Sequence, residues 1–365
     1  MVNILFKKGM HKVNHIRWDL KRILFNNLSS VLVKHEKLYY IWRVVKYAND
    51  GAFRKHILNL YHDENAIQVE ENSEVDNERS VYVIKINQKG MGMGAFIRWA
   101  LHGLWESKKM GVQSVIYFSG PYSENHKING TDNMFEYYFE QPSSIKYHKY
   151  KEASRVYFFD EGTLKRFATR HNMSKRLLVG YDISEKYIVE MSELFTEYIK
   201  LNERTKQYIE KGINTLGIKN KNYIGVHIRG TDYKLKWKNH PNALNVEQYF
   251  SEIDKLLDDE CDGLFVATDD LGYLERFQER YGSHVVFYED VHRGTDLVNV
   301  AMTNTDRENS HYYDGLEIIR DIYTLSYCKS LVVGLSQVSV CARIIQESRF
   351  HKDKRCIVLS NGIYK

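Results

Sequence analysis

Proline, cysteine and long apolar runs are all scarce in this sequence of 365 residues. It has 3 prolines and 4 cysteines, and the cysteines lie in the C-terminal half without a CxxC pair. This usage predicts reduced thiols, with neither a disulfide nor a zinc site. No stretch reaches the roughly 18 apolar residues that cross a bilayer, and the start lacks the apolar run of a signal peptide. We therefore expect a cytoplasmic protein.

The overall composition is that of a soluble protein with more than one core. Hydrophobic residues make up 43% and charged residues 27% of the chain, which argues against a disordered chain and a membrane bundle. A chain of this length exceeds one ordinary core, so two domains are expected. The 27 tyrosines and few prolines, with much lysine, asparagine and isoleucine, indicate an AT-rich genome and hence a bacterial source.

Positive charge is unevenly placed. The net charge is +5, yet residues 1–50 hold ten lysines and arginines against three acidic residues. Apolar residues recur there at helical spacing, at Val13, Ile16, Leu20, Ile23 and Leu24. This pattern predicts a basic helix that contacts an anionic membrane surface or packs on the rest of the protein. No nucleic-acid-reading motif accompanies the charge, so no nucleic-acid partner is expected.

Apolar runs of strand length alternate with helical patterns along most of the chain. In the first half, Val81–Ile86 and Ser114–Phe118 flank a glycine-rich loop and a helical pattern, which predicts one βαβ unit. A helical pattern over residues 183–212 connects the halves. The second half has five further runs, at Tyr223–Ile228, Leu264–Ala267, His284–Tyr288, Leu331–Val333 and Ile357–Leu359.

Short buried strands separated by helices form parallel sheets, so the chain is predicted to be an α/β protein. Its expected parts are a basic, largely helical extension (1–79), a first α/β domain (80–204) and a Rossmann-like ligand-binding domain (205–365). Ligands of such folds bind at the edge of the sheet where the strands end.

Polar residues gather at that edge. Gly92 lies in the loop Gly90–Gly94, where glycine lets the backbone approach a ligand or simply permits a tight turn. His227, Arg229 and Asp232 follow the strand that begins at residue 223. An arginine there suits phosphate oxygens, although a salt bridge to Asp232 would also explain it. The crowding of polar groups favours a site.

Adjacent carboxylates follow a second strand of the same half, at Asp269 and Asp270. Carboxylates in this position hold a metal, cap the next helix, or accept hydrogen bonds from ribose and substrate hydroxyls. Helix capping is the commonest reason for the pattern.

Asp321 lies on the apolar stripe of a helix, three residues after Ile318 and four before Leu325. An inward-facing carboxylate is costly unless paired donors meet it. The Watson–Crick edge of guanine supplies two such donors, and a buried arginine would serve equally. Ser336 precedes the next helix as its N-cap, where amides and the helix dipole favour a phosphate, although capping alone would also explain it.

These segments resemble the superfamily of α1,6-fucosyltransferases, with protein O-fucosyltransferases and bacterial α1,2-fucosyltransferases more distant. The likeness covers Tyr223 to Glu347 and, loosely, Gly90 to Gly94. The matching motifs are His227-Ile228-Arg229 with Thr231-Asp232, Ala267-Thr268-Asp269-Asp270, Asp321-Ile322 to Leu325-Ser326, and Ser336-Gln337-Val338. The resemblance implies a GT-B-like architecture of two facing Rossmann-like domains, with the acceptor on the first domain and the donor in the second.

For the site, the resemblance implies that Arg229 binds the diphosphate of a GDP-sugar, while His227 and Asp321 hold its guanosine. The full set expected around the donor is His227, Arg229, Asp269, Asp270, Asp321, Ser336, Gln337, Val338 and Gly92. The family implies inversion at the anomeric carbon without a metal or any cofactor besides the donor.

Two positions depart from the family's pattern. Gly230 stands where one member of the superfamily, the core fucosyltransferase that fucosylates the core of N-glycans, has a second arginine. The family's proposed base falls here among Trp237 and Lys238, which cannot accept a proton in that role at neutral pH. Asp232, the carboxylate nearest Arg229 in sequence, is therefore the expected base, and Arg229 is the other expected catalytic residue.

The expected function is transfer of fucose from GDP-fucose to a hydroxyl of an oligosaccharide or surface-polysaccharide precursor. Two alternatives stay open: the same fold with another GDP-sugar, and a non-catalytic protein that binds nucleotides or glycans. The expected partners are the donor, a glycan acceptor and, at the inner face of the plasma membrane, an anionic lipid surface.

Overall fold

The structure, a computed structural model, describes residues 68–75, 77–159, 183–230, 232–236, 240–258, 260–294 and 306–364. The predicted basic helix lies outside these residues, as do Thr231, Trp237 and Lys238. For Asp232 the backbone is described and the side chain is not. All of the described residues belong to one compact unit, Ile67–Lys365.

The first α/β half is built on a sheet in the order β1-β4-β2-β3. Its elements are β1 (Gln68–Glu71), β2 (Ser80–Asn87), α1 (Met93–Met110), β3 (Gln113–Ser119), α2 (Met134–Tyr138), a 3-10 helix (Tyr147–Glu152) and β4 (Arg155–Phe158). Strand β2 pairs in parallel with β3 and β4, and β1 pairs antiparallel with β4. The predicted βαβ unit is therefore confirmed.

Strand β1 differs from the prediction, because it lies within the segment assigned to the N-terminal extension. All four of its residues, Gln68–Glu71, are exposed. An edge strand that buries no side chain leaves no apolar alternation in the sequence. The first sheet thus begins before residue 80.

The connection between the halves is two helices rather than one. Helix α3 (Glu185–Tyr198) and helix α4 (Glu203–Leu216) are separated by a short break. Asn202 caps the second helix, since its side chain accepts a hydrogen bond from the Thr205 amide at 3.0 Å. Leu201, inside the break, forms a β-bridge with Phe139 and so ties the connection to the first half.

The second half holds a sheet in the order β7-β6-β5-β8-β9, in which every pairing is parallel. Its strands are β5 (Tyr223–Ile228), β6 (Gly263–Thr268), β7 (Val285–Val286), β8 (Ser330–Gly334) and β9 (Arg355–Leu359). Its helices are α5 (Val246–Ile253), α6 (Leu271–Tyr281), α7 (Ser310–Leu325) and α8 (Gln337–Phe350), and 3-10 helices occupy Asp232–Leu235, Gly282–His284 and His351–Asp353. Strands β5 and β6 are buried along their whole length, as expected of strands covered on both faces.

The register of this sheet brings the polar loops together. Ile228 pairs with Thr268, and His227 pairs with Val333, so β5, β6 and β8 end at the same edge. The predicted architecture of two α/β halves with Rossmann-like sheets is confirmed.

The two halves also share one apolar core. A single cluster of buried residues includes Phe96 of α1, Tyr187 of α3, Leu316 of α7 and Cys341 of α8. Across the described ranges, none of the helices has the length and apolar character that a bilayer crossing needs.

Candidate functional site

A cleft of about 460 Å³ opens between the two halves, at the edge where β5, β6 and β8 end. The first half contributes the glycine-rich loop and the start of α1, and the second half contributes loops and one face of α7. The predicted site residues that line it are Gly92, His227, Arg229, Asp269, Asp321, Ser336, Gln337 and Val338. The structure thus brings together residues that are up to 246 positions apart in sequence.

Arg229 is oriented by Asp269 across the ends of β5 and β6. The Nη1 atom of Arg229 lies 2.7 Å from Oδ2 of Asp269, and the arginine side chain is 23% exposed. The other carboxylate oxygen of Asp269 accepts a hydrogen bond from the Gly230 amide at 2.8 Å. One carboxylate therefore holds both the guanidinium group and the turn that follows it.

Asp270 is not among the residues that line the cleft, contrary to the expectation that it lies at the donor site. Its side chain caps α6, accepting from the Tyr273 amide at 3.1 Å, and it forms an ion pair with Lys234. Neighbouring residues in extended backbone point in opposite directions, so only one of the two carboxylates faces the cleft.

The side chain of Asp270 also explains why residue 230 is a glycine. A Cβ atom at residue 230 would lie 2.2 Å from Cβ of Asp270, which leaves no room for a side chain. The second arginine of the core fucosyltransferase therefore cannot be accommodated at this position of the present fold.

His227 is buried at the end of β5, where it meets the start of α8. Its Nδ1 atom lies 2.8 Å from Oγ of Ser339 and 3.3 Å from Oγ of Ser336. Burial lowers the pKa of His227 to about 4, with a smaller opposing effect from Asp269. The imidazole is therefore neutral at physiological pH.

Ser336 is the N-cap of α8, as the sequence predicts. Its Oγ accepts a hydrogen bond from the Ser339 amide at 3.1 Å. Gln337 and Val338 are the first two residues of the helix, and both line the cleft. The start of α8 thus presents its dipole to the same space as Arg229, an arrangement suited to an anion.

Asp321 lies on the cleft face of α7, with Ile318 one turn before it. Burial raises the pKa of Asp321 to about 7, although Arg320 and Arg293 nearby lower it. Neither arginine bonds to it: Arg320 pairs with Asp290 at 2.5 and 3.0 Å, and Arg293 donates to backbone carbonyls. Within the described part of the chain, the buried arginine partner considered from the sequence is not found.

Two further acidic residues of α7, which the sequence analysis missed, share this face. Asp314 is 6% exposed, and its Oδ2 has no hydrogen-bond partner among the described residues. Its Oδ1 lies 3.9 Å from Nδ1 of His292, and burial raises its pKa to about 7. Glu317 forms an ion pair with Arg307. The spacing of Asp314, Glu317 and Asp321, three and then four residues, would have placed them on one face.

The first half supplies the opposite wall. Gly92 precedes α1, and the Met93 amide donates to the hydroxyl of Tyr122 at 3.2 Å. Arg98, which is 1% exposed, reaches from α1 across to the second half and donates to the side-chain oxygen of Gln337. This hydrogen bond connects the first-half wall of the cleft to the start of α8.

Gly94 is where the starts of α1 and α8 touch, so replacing it should damage the site. A Cβ atom there would lie 2.7 to 2.9 Å from backbone atoms of Gln337 and Val338. Although alanine favours a helix by about 1 kcal/mol over glycine, such an overlap with backbone costs roughly 1–3 kcal/mol. We expect Gly94→Ala to lower both the melting temperature and nucleotide affinity.

Gly90→Ala is the matched control, because a Cβ atom at Gly90 would meet nothing within 4 Å. Thermal melts with and without GDP compare the two variants. Equal melting temperatures for both variants would show that the backbone around residue 94 accommodates the added Cβ atom without loss of stability.

No group of three or more histidine, cysteine, aspartate or glutamate side chains arranged to hold a metal occurs in the part of the chain that is described.

Comparison with known proteins identifies one family. The family model described as alpha-(1,6)-fucosyltransferase N- and catalytic domains matches residues 171–354, which include every second-half residue of the cleft. No curated protein matches the sequence significantly.

Solved structures show weak similarity over most of the chain. The fucosyltransferase NodZ from Bradyrhizobium is 17% identical, with 73% of this chain and 92% of that one covered and a TM-score of 0.44. POFUT1 in complex with GDP-fucose is 10% identical, with 79% and 99% covered and a TM-score of 0.44. FUT1 of Arabidopsis thaliana in complex with GDP is 12% identical, with 74% and 70% covered and a TM-score of 0.41.

Proposed function

This chain belongs to the alpha-(1,6)-fucosyltransferase family, and from that premise we propose that it transfers fucose from GDP-fucose to a glycan hydroxyl with inversion at the anomeric carbon. It is a glycosyltransferase by family. The identity of the donor, the stereochemistry of the transfer and the acceptor are the parts of the proposal that must be argued from the cleft.

The observation that carries the donor assignment is Asp321. A cleft-facing carboxylate with no hydrogen bond or ion pair to another described residue is matched by the two adjacent donors of guanine, and Ile318 one turn away offers an apolar surface for the base. Uracil and adenine do not present such a pair of donors. A nucleotide with guanine at Asp321 would extend its diphosphate toward the anion-binding groups at Arg229 and the start of α8.

These groups would act on the departing charge. As the bond from the anomeric carbon to the diphosphate breaks, negative charge develops on the leaving oxygen, and Arg229 with the amides at Gln337 and Val338 would stabilise it. The acceptor oxygen would attack from the opposite face of the sugar. We propose that this charge is held without a metal ion.

The acceptor hydroxyl needs a base, and we propose Asp232, which follows Arg229 in the same loop. Asp232→Asn should lower turnover at least about 100-fold, the usual contribution of general base catalysis, and leave GDP affinity unchanged. GDP release measured with GDP-fucose and a panel of oligosaccharides, beside calorimetry of GDP binding, tests this. Near-normal turnover would move the role to Asp314, since Asp269 is committed to Arg229 and Gly230.

Two alternatives are separated by the same assay. A preference for GDP-mannose over GDP-fucose would assign another GDP-sugar to the same cleft. Absence of GDP release with every acceptor, despite tight GDP binding, would favour a non-catalytic binding protein. The basic segment of residues 1–50 is proposed to contact an anionic membrane surface.

A further inference from the structure

We propose that Ser339 is a positioning residue that holds His227 with its proton on Nδ1, so that Nε2 accepts a hydrogen bond from a ribose hydroxyl of the bound nucleotide. The proposal rests on the nucleotide-binding function above. It adds which atom of His227 meets the ligand, and why.

The hydrogen bonds of the Ser339 hydroxyl determine which nitrogen of His227 carries the proton. The Ser339 hydroxyl lies 2.7 Å from the carbonyl oxygen of Gly334, and a carbonyl cannot donate, so the serine proton points there. The same Oγ lies 2.8 Å from Nδ1 of His227. Because the serine proton is already used, the proton between these two atoms must come from the imidazole.

The remaining hydroxyl nearby does not change this assignment. Ser336 lies 3.3 Å from the same Nδ1, farther than Ser339. If Ser336 donated to Nδ1, two lone pairs would face each other at the 2.8 Å contact with Ser339. Ser336 can instead donate to Ser339 at 3.2 Å, so that each proton of the two hydroxyls and of Nδ1 meets an acceptor.

The other ring nitrogen, Nε2, is left with a lone pair and has no hydrogen bond to another described residue. His227 is 6% exposed and lines the cleft. The low pKa given to the ring by burial keeps it neutral, so Nε2 can only accept. The backbone oxygen of the same residue accepts a hydrogen bond from the Tyr249 hydroxyl at 3.1 Å, which helps to fix the backbone from which the ring extends.

An atom that only accepts selects among the groups of a nucleotide. Phosphate oxygens are also acceptors near neutral pH and would repel it. The donors of guanine are those assigned to Asp321. The ribose hydroxyls are the remaining donors, so His227 should recognise the sugar of the nucleotide rather than its diphosphate.

The test combines one change in the protein with one change in the nucleotide and asks whether their effects on affinity depend on each other. For the unmodified protein, either 2′-deoxy-GDP or 3′-deoxy-GDP should bind about fivefold more weakly than GDP, as expected for one lost neutral hydrogen bond. In Ser339→Ala the imidazole loses its hydrogen bond to the serine. The difference in affinity between GDP and the deoxy nucleotide should then shrink toward zero, while GDP itself binds several-fold more weakly.

Ser348→Ala is the matched control, because Ser348 lies on the same helix and its hydroxyl also bonds to a backbone carbonyl, that of Ile345, at 2.7 Å. It should keep the full penalty for the deoxy nucleotide. An equal penalty in Ser339→Ala and Ser348→Ala, or no penalty in the unmodified protein, would overturn the proposal.

Nitrogen chemical shifts of the imidazole give a second measurement that needs no Ser339 variant. The His227 signal, assigned by its loss in His227→Gln, should show a protonated Nδ1 and a bare Nε2 at pH 7. A proton on Nε2 would overturn the proposal. Failure of the proposed function looks different: GDP would not bind at all, while the tautomer would remain as described.

Discussion

Arg229→Ala should abolish detectable turnover and weaken GDP binding at least about tenfold, because each lost charge-assisted hydrogen bond to the diphosphate contributes roughly 1.5–3 kcal/mol. Asp269 holds the guanidinium group in place, so its geometry as well as its charge is set before the ligand arrives. Gly230, where no side chain fits, leaves no neighbouring arginine to take over. Arg229→Lys should therefore also lose affinity, since an ammonium group cannot reproduce the planar fork.

Calorimetry of GDP binding and a GDP-release assay measure both effects. Arg276→Ala is the control, because Arg276 pairs with Glu247 on the surface at 2.5 Å and its removal changes the net charge equally. Unchanged GDP affinity in Arg229→Ala would refute the diphosphate assignment. Activity abolished by a chelator would show that a metal ion shares the charge.

Asp321→Asn should lower GDP affinity by at least about 2 kcal/mol, roughly 30-fold, because it puts an amide donor opposite a guanine donor. The change keeps the size of the side chain, so the apolar packing of α7 should survive. Binding of UDP and ADP should be weak before the change and no weaker after it. Equal affinity of the unmodified protein for GDP and UDP would contradict the guanine assignment.

The raised pKa of Asp321 gives this prediction a pH dependence. Only the ionised carboxylate accepts two hydrogen bonds, and in the free protein half of the groups are protonated near pH 7. Affinity for guanosine should therefore rise as pH increases from 5.5 to 8, and the rise should be missing in Asp321→Asn. Guanosine is the probe because it has no phosphate that titrates in this range.

The same carboxyl affects stability in the opposite direction. Its pKa in the folded protein lies above the ordinary value of 3.8, so the stability it contributes is present below that value and lost as pH rises through about 7. Asp314 behaves likewise. The free protein should thus lose less stability with rising pH in Asp321→Asn than in the unmodified form, as measured by chemical denaturation at pH 5 and pH 8.

Much of the fold and part of the cleft could be predicted from residue patterns. The fully buried strands β5 and β6 are continuous apolar runs, and parallel strands between helices must end at one edge. That rule alone placed His227, Arg229 and Asp269 together. The exposed strand β1 and the break between α3 and α4 were not predicted, because neither depends on a buried apolar pattern.

Asp269 and Asp270 show what residue patterns cannot predict, namely the separate contacts of two adjacent carboxylates. The sequence offers two adjacent carboxylates, and the structure separates them into a partner of Arg229 and a cap of α6 bound to Lys234. Which residue takes which part depends on the twist and register of β6 against β5. The same register puts Asp270 against Gly230 and so explains the missing arginine.

The sequence by itself determined the α/β class, the sheet edge at which the candidate site lies and most of the residues at that edge, because apolar periodicity and the alternation of strands with helices are local properties of the chain. Only the tertiary structure decided which groups meet: Ser339 with His227, Arg98 with Gln337, and Gly94 with the start of α8. These partners lie 112 and 239 residues apart for the two hydrogen bonds, and their contacts follow from how the halves pack. Hydrogen-bond geometry and close backbone contact depend on positions to within fractions of an ångström, which no periodicity along the chain encodes.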